Sequence, residues 1–132
     1  MSNFGDLFQS ADWKQEKHAP VIEGPDEVKK GETFQLQVSV GKEIPHPNTT
    51  EHHIRWIEVY FLADGEKFPI ELGRAEFTAH GESTEGPNQG PACTEPGVVL
   101  RAQLTKSGTL CATSYCNIHG LWVSQKSIKV SE

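Results

Sequence analysis

The sequence predicts an all-β protein, and three observations carry that expectation. Phe34, Leu36, Val38 and Val40 alternate with Gln35, Gln37 and Ser39, the period-2 pattern of a strand with one face in a core. Short β-branched and aromatic runs recur along the chain, punctuated by 12 glycines and 8 prolines in 132 residues. Little of the chain shows the 3.6-residue periodicity of an amphipathic helix.

In chain order, residues 1–17 are polar, with Trp13 and scattered apolar positions, and a short helix is expected near residues 6–15. Strand character begins after Gly31 with the alternating run at Phe34. Residues 54–62 hold Ile54, Trp56, Ile57, Val59, Tyr60 and Phe61, then stop at Ala63-Asp64-Gly65. Asp-Gly is a turn signal, so a hairpin to a strand at residues 68–72 is expected. Further strands are expected at residues 74–79, 98–104, 109–115 and 122–130, with Ser107-Gly108 turning the chain between two of them. Residues 81–97 carry Gly81, Gly86, Pro87, Gly90, Pro91, Pro96 and Gly97 and read as one long loop, a feature often functional or interfacial in compact domains. Together these elements predict an antiparallel, immunoglobulin-like β-sandwich of about seven strands. The length suits a single domain over residues 1–132, with residues 1–30 as an N-terminal segment.

Composition excludes several classes. A formal charge of −6 argues against nucleic acid, whose binders show a basic face. It also means that a small anionic substrate has to be gathered by a local positive charge. No apolar run of about 18 residues is present, so no membrane span is expected. The first residues show neither a basic nor an apolar leader region, and a cytoplasmic location is expected. The three cysteines, Cys93, Cys111 and Cys116, are too few and too odd in number for a disulfide framework. Six histidines are more informative: His18, His46, His52, His53, His80 and His119.

Three segments gather these residues. Cys116-Asn117-Ile118-His119-Gly120 places a thiol and an imidazole three apart, with a glycine to bend the backbone. Taken alone, that pair is better explained as a buried thiol beside a surface imidazole. Pro45 and Pro47 stiffen the loop around His46, which leads to His52 and His53 at the start of the next strand. A preorganised histidine loses less entropy on binding a metal. His52 and His53 point to opposite faces, so one of them is expected at a metal; parity does not choose between them. Glu16-Lys17-His18-Ala19-Pro20 supplies another imidazole and a candidate lysine.

Taken in order, Glu-Lys-His-x-Pro, His-Pro-Asn-x-x-x-His-His-Ile and Ser-Tyr-Cys-Asn-x-His-Gly-Leu-Trp resemble the superoxide reductase family, in its one-iron neelaredoxin form. The resemblance runs from Trp13 to about Trp122. It includes Gly41-Lys42-Glu43-Ile44 and Phe77-Thr78-Ala79-His80-Gly81-Glu82. The related desulfoferrodoxins add an N-terminal four-cysteine iron domain, and this chain has no cysteine before Cys93. The resemblance implies one iron held by His18, His46, His52, His119 and Cys116, with one position open. It implies that Glu16 can fill that position in the oxidised state and that Lys17 lies beside it. It implies no ligand role for His53 or His80, which leaves them to packing or the surface. The implied reaction reduces superoxide by one electron to hydrogen peroxide. An external donor such as rubredoxin restores the iron, and the assembly is a homotetramer.

The ligand number fits iron. Structural zinc prefers four tetrahedral ligands, usually with more thiolate. Two other readings compete. A cupredoxin-like electron carrier would use two histidines, a cysteine and commonly an axial methionine. Here Met1 is the lone methionine and two histidines would be left over. A non-catalytic β-sandwich binding module with a structural zinc is the other. Metal content and colour separate the three.

Overall fold

The computed structural model describes residues 3–132. Among the described residues eight strands form: β1 (Val21–Glu23), β2 (Glu27–Lys29), β3 (Phe34–Ser39), β4 (Ile54–Ala63), β5 (Ile70–Glu76), β6 (Gly97–Ala102), β7 (Gly108–Cys116) and β8 (Gly120–Ser131). They make two sheets, a three-stranded one in the order β1-β3-β6 and a five-stranded one in the order β2-β8-β7-β4-β5. The fold is an all-β sandwich. Its core is what the alternation predicts. Phe34, Leu36 and Val38 from β3 meet Ile57, Val59 and Phe61 from β4, Leu110 and Ala112 from β7, and Ile128 from β8. Leu36, Ile57 and Leu110 are fully buried, each contributing about 1.5–3 kcal/mol of transfer free energy.

The details depart from the sequence reading in four places. No α-helix forms over residues 6–15; one 3-10 turn, Phe4–Leu7, is followed by extended chain in which Gln9 bridges Trp122 of β8. Backbone pairing along the sheet edge replaces the helix. The two strands expected at residues 68–72 and 74–79 are one strand, β5, running straight through Gly73. Gly73 lets Leu100 of the opposite sheet lie close: a Cβ would stand 2.8 Å from the end of that side chain, which would have to shift. A register shift between Val59 and Tyr60 of β4 takes up the irregularity. The bend between β6 and β7 falls at Thr105-Lys106 rather than at Ser107-Gly108, since Gly108 already begins β7, and it carries the chain from one sheet to the other. Finally, β1 and β2 were not anticipated, and β2 pairs with β8 in parallel rather than antiparallel.

The loop at residues 81–97 is present as expected. It is closed at its base by Gly81 N–H to the Ala92 carbonyl and Thr94 N–H to the Ala79 carbonyl. It braces the histidine loop beside it. The Asn88 side chain accepts from Thr50 N–H at 2.8 Å and donates to the Glu51 carboxylate, and Asn48 donates to the Thr94 carbonyl. No helix among the described residues is long and apolar enough to cross a membrane.

Candidate metal centre

Each histidine in the cluster is held by its outer nitrogen or its backbone. His18 follows a turn at residues 13–15 and is buried with Ala19 and Pro20. Ser114 of β7 donates to the His18 carbonyl and Ser124 of β8 to that of Pro20, pinning the segment across the sheet end. The Glu16 carboxylate accepts from His18 N–H at 2.6 Å and from Nδ1 at 2.7 Å. A carboxylate can only accept, so Nδ1 carries the proton and Nε2 is left with its lone pair. His46 reaches the same state by another route, its Nδ1 donating to the Pro47 carbonyl at 2.7 Å. The chain approaches it through Gly41, whose φ is +90° and where a Cβ would stand 2.8 Å from His46 N, so a side chain is not tolerated.

His52 sits in a small hydrogen-bonded turn. Its N–H donates to Thr49 Oγ1 and its carbonyl accepts from Thr49 N–H. Asn117 brackets it, accepting from His53 N–H at 2.8 Å and donating to the Glu51 carbonyl at 2.9 Å. Cys116 ends β7 with no exposed surface, and His119 lies on the turn into β8, exposed. His119 N–H donates to Cys116 Sγ at 3.3 Å.

One potential ligand atom from each of His18, His52, Cys116 and His119 lies within 4.8 Å of all the others. His46 falls outside that group but against it, with Nε2 3.4 Å from Cys116 Sγ. The four imidazoles close a ring of neighbours. Their centres are 4.8 Å apart for His18 and His46, 4.7 Å for His46 and His52, 5.0 Å for His52 and His119, and 4.7 Å for His119 and His18. The His18–His52 diagonal is longer, at 6.3 Å. Nitrogen therefore points at nitrogen: His18 Nε2 stands 3.1 Å from His119 Nδ1. His52 Nε2 is buried without any partner, an arrangement that costs about 1–3 kcal/mol unless something binds it. Four imidazoles and a thiol fit a single metal ion with one position to spare.

Burial pushes the His18 imidazole down, against the pull of Glu16. Burial also takes His46 down to about 4 and lowers His52, helped by the neighbouring imidazoles and by Lys17. These three are neutral at neutral pH, the form that binds metal. Burial pushes the Glu16 carboxyl up, but its bonds from His18 win and hold it below its ordinary value.

The structure brings His18, His46, His52, Cys116 and His119 together. Lys17 is half-buried beside them, and its charge is felt by Glu16, His18, His46 and His52. The Glu16 carboxylate lies on the outer nitrogen of His18 rather than among the converging atoms. His53 and His80 stack on each other elsewhere, and Cys93 and Cys111 stand apart as free thiols. Sequence reasoning missed Thr49, Asn88 and the bracket made by Asn117. Asn117 lay in plain view inside the Cys-Asn-x-His motif, but its partners are 64 and 66 residues away.

The sequence profile of the desulfoferrodoxin family matches residues 10–125. The chain is 55% identical over 123 residues to the neelaredoxin of Megalodesulfovibrio gigas, covering 93% of this chain and 95% of that one. It is 55% identical over 124 residues to the superoxide reductase of Pyrococcus furiosus, covering 94% of this chain and 98% of that one. The reduced superoxide reductase (neelaredoxin) of Archaeoglobus fulgidus superimposes with a TM-score of 0.86 at 56% identity, over 93% of this chain and 98% of the other. With its profile match, these relatives and the shared fold, the chain belongs to the desulfoferrodoxin family.

Proposed function

We propose that the chain is a superoxide reductase, converting superoxide to hydrogen peroxide at one iron per chain. The observation that carries this is the grouping of three imidazoles and one fully buried thiol within 4.8 Å of one another, with the fourth imidazole, His46, 3.4 Å from that thiol. The donor set suits iron: zinc prefers four ligands, and blue copper takes two histidines with its cysteine. The superoxide reductase of Pyrococcus furiosus is a relative by sequence over nearly its whole length.

His18, His46, His52, His119 and Cys116 are the proposed ligands. Bound there, the iron would supply the single electron that superoxide takes up. The chain does the rest. Glu16 and the Pro47 carbonyl fix the tautomers of His18 and His46, so that Nε2 faces inward on both. The His119 N–H bond to Sγ steadies the thiolate. Lys17 provides the positive charge that gathers an anion to a protein of formal charge −6. Glu16, one residue before Lys17, is the carboxylate available to close the open position in the oxidised state.

The reaction consumes one electron per turn, so an external donor is needed; rubredoxin is the proposed one. We assign the chain a homotetrameric state, to which the half-buried outer face of β4 and β7 lends itself. A cytoplasmic location accords with three free thiols. Residues 1–132 act as one domain, with residues 1–30 delivering Glu16, Lys17 and His18. The test is metal analysis combined with stopped-flow mixing of the reduced protein with superoxide. One iron per chain, a blue oxidised form that bleaches on reduction, and fast superoxide consumption are expected. A colourless protein holding zinc, or one inert to superoxide, overturns the reading.

A further inference from the structure

Trp122, the third residue of β8, is buried and touches two of the proposed ligands at once. Its indole lies flat on the His18 imidazole, ring centres 4.9 Å apart and planes 12° from parallel. Its Nε1–H donates to the His119 carbonyl at 3.3 Å. His18 and His119 come from positions 101 residues apart, and nitrogen already faces nitrogen between them at 3.1 Å. A second donor reaches the same carbonyl, Gln9 Nε2 at 3.0 Å. Gln9 is itself fixed to β8 by its N–H to the Leu121 carbonyl and by its own carbonyl to Val123 N–H.

The two contacts answer two different freedoms. His18 is tethered by Glu16 at one edge, and an imidazole held at one edge can still tilt about that bond. A flat indole against its face removes the tilt. His119 is exposed on a short turn whose Gly120 has a φ of +82°. Two donors on the His119 carbonyl stop that peptide from rotating. The indole also keeps water from one face of His18.

We infer that Trp122 is a positioning residue of the metal centre, aligning His18 Nε2 and His119 Nδ1 on one ion, with Gln9 as its auxiliary. The inference rests on the metal-centre reading. Residues that orient metal ligands from behind are worth about 10- to 100-fold in metal affinity.

The experiment titrates the metal-free protein with Co2+ and follows the thiolate-to-cobalt and ligand-field absorption bands. Wild type, Trp122→Ala, Trp122→Phe and the double variant Gln9→Leu with Trp122→Phe are compared. Trp56→Phe is the control, since Trp56 stacks on Tyr115 rather than on a ligand. Trp122→Ala is expected to bind Co2+ about 10- to 100-fold more weakly and to show shifted ligand-field bands. Trp122→Phe keeps the stack and is expected to recover most of the affinity. The double variant loses both donors to the His119 carbonyl and falls between the two. Should Trp122→Ala fail to fold by circular dichroism, the double variant decides, because it preserves the buried ring. Wild-type affinity and unchanged bands in Trp122→Ala, or in the double variant when it decides, overturn the inference and leave the metal centre standing. A wild-type protein that takes up no Co2+ overturns both.

Discussion

His52 and His53 are neighbours in the chain and end in two histidine groups built on opposite principles. His53 lies parallel to His80, ring centres 3.5 Å apart and planes 9° from parallel, both side chains buried. In the other group, neighbouring rings cross at 51° to 82°. Parallel rings present faces, and a face has no lone pair to offer. Crossed rings turn their edges, and so their nitrogens, toward a common point. The outer nitrogens make the same distinction. His18 and His46 each donate from Nδ1 and aim Nε2 inward, toward His119 Nδ1 and Cys116 Sγ. His53 also donates from Nδ1, to the Thr49 carbonyl at 2.8 Å, but its ring is taken up by the stack. Among histidines in a small protein, tilt separates the chemical group from the packing group more cleanly than burial does.

A cysteine stands beside each group, and replacing each gives the largest contrast. Cys116 meets the crossed rings, while Cys93 is bridged through its backbone to His80. Cys116→Ser is expected to abolish the thiolate-to-iron colour and leave an altered or empty site. Cys93→Ser and Cys111→Ser are expected to keep it. Absorption spectra with metal analysis decide, and a blue, active Cys116→Ser protein removes Cys116 from the ligand set.

Next in size is the adjacent pair itself. His52→Ala is expected to lower iron content well below one per chain. His53→Ala is expected to keep the iron and instead lower thermal stability, by about 1–3 kcal/mol, through lost packing and an uncovered His80. Equal metal loss in the two variants would erase the distinction drawn from tilt.

Lys17 sharpens the comparison kinetically. Its charge bears on His18, His46 and His52, whereas His80 is lowered first by burial and then by His53, against the pull of Glu82. At a separation of roughly 6 Å, one charge pair is worth about 0.7 kcal/mol in a water-like medium and about 2.8 kcal/mol at an effective dielectric near 20. Lys17→Ala is therefore expected to slow oxidation of the reduced protein by superoxide by about 3- to 100-fold, with Lys17→Arg retaining most of the rate. The wild-type rate is expected to fall with added salt more steeply than that of the alanine variant. Identical rates and salt slopes would make Lys17 an ordinary surface lysine.

The smallest expected effect appears on acidification of the metal-free protein. His46 is pushed from an ordinary 6.5 down to about 4. Its folded form resists a proton that the unfolded chain accepts. The stability it contributes is complete above pH 6.5 and drains away as the pH falls toward 4. His46→Asn is expected to flatten the denaturation midpoint across that window. A curve parallel to wild type would place the acid sensitivity elsewhere.

Much of this was legible beforehand, for definite reasons. The alternation at Phe34 and the β-branched run at Ile54 announced β3 and β4, because a half-buried strand has a fixed period. The ligand segments were legible as three motifs, since each is local. What stayed hidden was long-range or short. At three residues each, β1 and β2 are too brief to show any period. Gly73 read as a break between strands because its neighbour, Leu100, comes from the other sheet. The choice of His52 over His53 rested on family resemblance alone, for the bracket that Asn117 forms around His52 joins residues far apart in the chain.

Cys116 closes the inner side of the cluster completely, while His119 stands in solvent and His46 and His52 are half-exposed. A centre with one wall against the core has a single berth. On the proposed function, superoxide and the electron donor would both use that exposed side, and so would take turns. Turnover would then alternate between two half-reactions that never share an encounter, the ping-pong pattern. A carrier present in large excess would become an obstacle, crowding out the very anion whose removal it supports.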